Sequence, residues 1–212
     1  MEPRTCTTLD GYRLEAELHP AEPLPPRAGM VICHPHPQYG GSMRSIVVSA
    51  LVQELPKRGV SCLRFNFRGV EASEGEWDAG DAERHDVVAA IDQLSLELAP
   101  STPLILAGWS FGADVALSVR DPRIAAWLAI APPLRWGHDG DATATDPRAK
   151  LFVLAEHDEV RGPGEIEADI RAWVNADDVI VPGASHFFIG RTDRLVAIAA
   201  GFVHRITSEA VG

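Results

Sequence analysis

The sequence predicts an α/β fold: a doubly wound, mostly parallel sheet that opens with an antiparallel hairpin. Three observations predict it. From residue 28 onward, short apolar runs alternate with segments of helical periodicity, the pattern of strand–helix units. Before them, two alternating segments flank Asp10-Gly11, as in a hairpin. Finally, the apolar run Leu104–Trp109 passes through Gly108-Trp109-Ser110-Phe111-Gly112 directly into a helical pattern. That is a buried strand, a very tight turn and a helix.

The elements follow in order. Thr5–Leu9 and Arg13–Leu18 form the hairpin, with a type I′ turn at Asp10-Gly11. A proline-rich loop leads to a buried strand, Ala28–Cys33, and to the loop His34–Ser42. A helix over 43–58 stops at Gly59, with Ser42 as its cap. Val60–Phe65 is the next strand and Asn66–Gly75 a polar loop. Val87, Ile91, Leu94 and Leu98 place a helix over 81–98, ended by Pro100. After 103–119 come a strand at Ile124–Ala131, a turn-rich stretch over 134–149 that includes His138, and a strand at Lys150–Ala155. A helix over 165–174 carries Ile166, Ile170 and Trp173 on one face. The last strand begins at Val179, and Leu195, Ile198, Phe202 and Ile206 mark the last helix. The 212 residues suit a single domain, 1–212.

Composition narrows the partners. A net charge of -11 disfavours nucleic acid and anionic membranes. The sequence has no stretch apolar enough to span a bilayer and no signal-peptide core, so a cytoplasmic location is expected. Cys6, Cys33 and Cys62 follow no disulfide or metal spacing and read as reduced thiols.

The Gly108–Gly112 turn is the nucleophile elbow of α/β-hydrolases, in which a serine stands at the tip of a strained strand-to-helix turn. A serine hydroxyl needs a base, and the base needs an orienting acid. In this fold the chain order is Ser, then acid, then His. After Ser110 the chain offers Glu156, Asp158 and Glu159 behind one strand and His186 behind the next. Asp158 is the favoured acid, three residues past the strand-closing Ala155, with Glu159 the runner-up. The oxyanion donors are the N–H of Phe111, which follows the nucleophile, and one N–H from the His34 loop. Pro35 and Pro37 have none, which leaves His36, with Gln38 as the alternative. His34-x-His36 lacks nearby partners for a metal, so neither metal nor cofactor is expected. Tyr39, Trp109, Trp136 and Phe187 fall near strand ends, where they would line a substrate pocket. Arg68 and the acidic run Asp78, Asp81, Glu83 and Asp86 suggest a structural ion-pair network.

Six motifs together, His34-Pro-His-Pro-x-x-Gly-Gly-Ser-Met43, Asn66–Val70, Gly108–Ala113, Ile130–Pro133, His157–Glu159 and Ser185–Phe188, resemble a group of small lidless bacterial α/β-hydrolases related to dienelactone hydrolases. The resemblance spans nearly the whole chain. It implies Ser110, Asp158 and His186 as the triad and carboxylesterase chemistry. The group usually has Gly where this chain has Glu71, so a positive φ there would strain the loop. Dienelactone hydrolases proper use Cys as the nucleophile, and Ser110 argues against that substrate.

The expectation is therefore a serine esterase for small soluble esters, monomeric or homodimeric. Residues 132–149 are too few for a cap domain, which implies minimal or no lid. A peptidase or thioesterase would share the machinery. A binding protein on a hydrolase scaffold is the third reading.

Overall fold

The structure, a computed structural model, describes residues 1–136 and 140–209. One eight-stranded sheet forms its centre: β1 (Glu2–Thr7), β2 (Arg13–His19), β3 (Ala28–Cys33), β4 (Val60–Phe65), β5 (Leu104–Trp109), β6 (Ile124–Ile130), β7 (Ala149–His157) and β8 (Ala176–Ser185). Their spatial order is β1-β2-β4-β3-β5-β6-β7-β8. β1 and β2 are antiparallel, β2 meets β4 antiparallel, and β4 onward is parallel. Every residue of β3 and β5 is buried, as continuous apolar runs in a twice-covered sheet require. The helices are α1 (Ile46–Glu54), α2 (Glu83–Ser95), α3 (Phe111–Ser118), α4 (Gly140–Ala144), α5 (Pro163–Ile170) and α6 (Thr192–Glu209). α1 and α6 cover one face, burying Leu51, Leu195 and Phe202; α2, α3 and α5 cover the other with Ile91, Val115 and Ile166. Each such side chain contributes roughly 1.5–3 kcal/mol. No helix among the described residues is long and apolar enough to cross a membrane.

Several boundaries differ from the sequence reading, each for a local reason. The hairpin pairs Thr7 with Arg13, so its loop has five residues. Only Gly11 in it has a positive φ, and a type I′ turn needs two such residues. α1 starts at Ile46 with Ser45, not Ser42, at its N-cap, because the Met43 N–H is drawn to Asn66 Oδ1 at 2.8 Å. α2 is shorter than 81–98 at both ends. β7 runs on to His157, and β8 begins at Ala176 and continues to Ser185 through a register shift. His138 lies outside the described residues.

The ion-pair network is smaller than expected. Arg68 binds Asp86 at 2.7 Å and Asp10 at 3.0 Å, and of the acidic run only Asp86 reaches it. Glu83 instead accepts the N–H groups of Asp78 and Gly80, while Asp81 pairs with Arg84. Burial lifts the Asp86 carboxyl to about 6 against the pull of Arg68. All three cysteines are free and buried.

Glu71 has φ 49, the left-handed conformation its place in the loop foreshadowed. Its carboxylate is held by Arg44 and by Asn66 Nδ2 at 3.0 Å. Left-handed backbone costs a non-glycine residue about 1 kcal/mol, and a half-exposed ion pair returns up to about 1 kcal/mol. Glu71→Ala keeps the backbone cost and drops the pair, whereas Glu71→Gly drops both. Urea unfolding should find the Gly variant more stable than the Ala variant by about 1 kcal/mol, and close to the parent. Equal stability of the two variants would show that position 71 carries no strain.

Candidate active site

Ser110 is the only residue between β5 and α3, and its backbone sits at φ 55, ψ -124. A non-glycine residue there costs of order 1–3 kcal/mol and needs its surroundings to hold it. Its N–H donates to Ile130 O at 2.8 Å, and its C=O accepts from Ala113 N at 2.8 Å. The flanking glycines are steric necessities. A Cβ on Gly108 would lie 2.2 Å from Gly112 O, and one on Gly112 would lie 2.3 Å from His34 O.

Asp158 directly follows β7 and His186 directly follows β8. The sheet brings both to the serine. His186 Nε2 lies 2.9 Å from Ser110 Oγ, and His186 Nδ1 lies 2.9 Å from each oxygen of Asp158. Nδ1–H directed at the carboxylate leaves Nε2 as an acceptor for the serine O–H, an assignment that follows from the bond network. Asp158 Oδ1 also accepts the N–H groups of Val160 and Arg161. The other two acids support the same loop: Glu159 Oε2 accepts His186 N–H at 3.1 Å, and Glu156 Oε2 accepts Gly183 N–H at 2.7 Å. Trp109 Nε1–H donates to His186 O at 3.1 Å. The histidine backbone is thus gripped on both sides.

The two histidines of the β3 loop differ. His34 is fully buried, and both ring nitrogens are engaged: Nδ1 with Pro35 O at 2.6 Å, and Nε2 accepting Phe67 N–H at 3.0 Å. Burial pushes its pKa down to about 4. A doubly engaged imidazole has no lone pair for a metal, and no metal-holding cluster exists among the described residues. His36 packs its ring against Tyr39, Phe111, Trp136 and Trp77, with centroids 4.7–5.3 Å away. Its Nδ1 accepts the Gln38 N–H at 3.2 Å, which occupies the alternative oxyanion donor.

A cavity of about 420 Å³ opens in front of Ser110. Tyr39, Trp109, Trp136 and Phe187 all line it, together with His36 and Phe111. Tyr39 stands at the rim, 88% exposed, and Trp109 is buried at 3%. Sequence reasoning missed Asp114. This buried carboxylate on α3 accepts the N–H groups of Leu134 at 2.9 Å, Arg135 at 2.7 Å and Trp136 at 3.0 Å. Burial pushes it up to about 7, while the three donors pull the other way. The signal was one acidic residue in an otherwise uncharged, mostly apolar eight-residue helix.

A strained elbow serine at the carboxyl edge of a parallel sheet defines the α/β-hydrolase class. No family model matches the chain. An uncharacterized protein of Rickettsia prowazekii is 31% identical over 192 residues, covering 82% of this chain and 81% of that one. Among solved structures, an α/β serine hydrolase homologue from Coxiella burnetii superposes with a TM-score of 0.84 at 30% identity, over 94% of this chain and 95% of that one. A lidless α/β serine hydrolase from Xanthomonas campestris gives a TM-score of 0.83 at 28% identity, over 98% and 93%. The chain belongs to the family of small α/β serine hydrolases. The expected tie to dienelactone hydrolases rests on sequence motifs alone.

His34 generates a pH prediction. Its folded pKa, about 4, lies below the ordinary histidine value of 6.5. Below pH 6.5 the unfolded chain takes up a proton that the folded chain refuses, so this contribution to stability falls as pH drops toward 4. Each tenfold difference in proton affinity between the two states corresponds to about 1.4 kcal/mol. Denaturant unfolding of the parent and of His34→Asn should show the parent's advantage complete above pH 6.5 and shrinking between 6.5 and 4. A constant difference across that window would mean that folding leaves the proton affinity of His34 unchanged.

Proposed function

We propose that this protein hydrolyses carboxylic esters of small soluble molecules through an acyl-enzyme on Ser110. The observation that carries the reading is the unbroken Ser110–His186–Asp158 chain, with 2.9 Å at each link. His186 takes the hydroxyl proton as Ser110 Oγ attacks the ester carbonyl. Asp158 fixes the imidazole tautomer and stabilises the imidazolium. The N–H groups of Phe111 and His36 receive the oxyanion, and neither donates to another acceptor among the described residues. His186 then returns the proton to the departing alcohol. A water, activated by the same histidine, releases the acid.

Esters are favoured over peptides by the cavity wall. Among its described lining residues there is no Asp or Glu to bind a substrate amino terminus. Between β6 and β7 the described residues hold one short helix, α4, too little to cover the cleft. Asp158 is preferred to Glu159 because Glu159 is committed to the His186 N–H.

Ser110→Ala should lose p-nitrophenyl acetate turnover and fluorophosphonate labelling together. Asp158→Asn should lower kcat by roughly 10⁴, and Glu159→Gln by about tenfold or less, as for one weakened hydrogen bond. Unchanged turnover in Ser110→Ala would sink the mechanism, and a parent protein that fails to label would favour a binding role. Rates on micellar esters should show no interfacial jump, since the described residues include no lid over the cleft.

A further inference from the structure

The cavity before Ser110 differs in charge from the chain around it. The chain carries 30 acidic and 19 basic residues. Yet the described lining holds no carboxylate, and Arg135 is its one lysine or arginine. The Arg135 side chain is exposed and forms no ion pair among the described residues; Nη2 donates only to Val160 O, at 3.3 Å. A guanidinium carries five donors, so most of this one is open to a ligand. Its neighbour Arg161, by contrast, is committed to Asp169 at 2.5 Å and Pro133 O at 2.8 Å.

The position of Arg135 is built in. Its N–H, with those of Leu134 and Trp136, converges on the buried Asp114 of α3, four residues beyond Ser110. Leu134 takes a positive φ of 52 within this turn. The helix that follows Ser110 therefore also fixes the loop presenting one cation and one indole to the cavity. Charges farther than about 8–10 Å away are screened by salt. The nearer carboxylates, Asp114, Asp158 and Glu159, are engaged by backbone N–H groups and His186 and do not line the cavity. Among the lining residues the open cation is that of Arg135.

We infer, building on the hydrolase reading above, that Arg135 is a specificity-determining residue selecting esters with a carboxylate on an aromatic body. The guanidinium takes the carboxylate through paired N–H bonds, and the aromatic walls, Trp136 foremost, take the ring. The carboxylate belongs either to the acyl part or to the alcohol part of the ester.

Two matched pairs separate these sources: monomethyl terephthalate against methyl benzoate for the acyl part, and 4-acetoxybenzoate against phenyl acetate for the alcohol part. The readout is the ratio of kcat/KM for the charged ester to that for its neutral partner. In one pair the ratio should fall about 10- to 100-fold in Arg135→Gln, the range for a charge-assisted hydrogen bond, and further in Arg135→Glu. Arg171→Gln, at an exposed arginine outside the cavity, should leave it unchanged. Ratios that match the parent in both Arg135 variants, for both pairs, overturn the proposal. Calorimetry on Ser110→Ala separates this failure from failure of the chemistry. There, terephthalate and 4-hydroxybenzoate should bind and lose binding on Arg135→Gln even if no ester is turned over. Binding that survives that change also overturns the proposal.

Discussion

Three backbones meet at the turn that carries Ser110, and they meet closer than any side chain permits. β5 and α3 approach at Gly108 and Gly112, and α3 meets the end of β3 where Gly112 faces His34 O. This contact fixes more than the serine. Phe111, first residue of α3, and His36, two residues past His34, are held relative to one another because their elements touch at Gly112. The spacing between the proposed nucleophile and the proposed oxyanion donors is thus set by backbone contact, which is stiffer than any arrangement of rotamers.

The other loops at this edge are secured differently. Each is tied by a side chain to a neighbouring loop's backbone. His34 accepts the Phe67 N–H, Asn66 accepts the Met43 N–H, Asp114 accepts three N–H groups of residues 134–136, and Glu159 accepts the His186 N–H. Loops buried against a site must satisfy their backbone groups somewhere, and these loops have no ladder to join. The side chains supply the missing partners and so convert a solvation requirement into positional order.

Which features were legible in the sequence follows from the same physics. β3 and β5, buried on both faces, announced themselves as apolar runs. The elbow did so by its glycines, and Asp158 and His186 by chain order. β8 was readable only in its middle. It is an edge strand, exposed along much of its length and carrying Pro182 and Gly183, so its ends look like loop. The hairpin turn misled because Asp-Gly suits several turn types, and the five-residue loop uses only the glycine's freedom. Side chain-to-backbone ties were invisible. Nothing in a single sequence says that Asp114 will find three N–H groups twenty residues away, or which of three neighbouring acids takes the imidazole and which take the backbone.

Backbone strain is distributed unevenly. Seven described non-glycine residues have positive φ, and four of them, Ser110, Ala131, Leu134 and Phe188, lie at the carboxyl ends of β5, β6 and β8. Each is pinned: Ser110 N–H to Ile130 O, Ala131 N–H to Val153 O, Leu134 N–H to Asp114, Phe188 N–H to Ser185 O. At roughly 1–3 kcal/mol per residue, this strain is comparable to the whole net stability of a domain, so only a well-packed sheet sustains it. A site that relaxed on binding would gain nothing from such a cost. Strain concentrated here, and bonded in place, is what a preorganised cleft requires: the side chains of the proposed triad stand 2.9 Å from one another at each link.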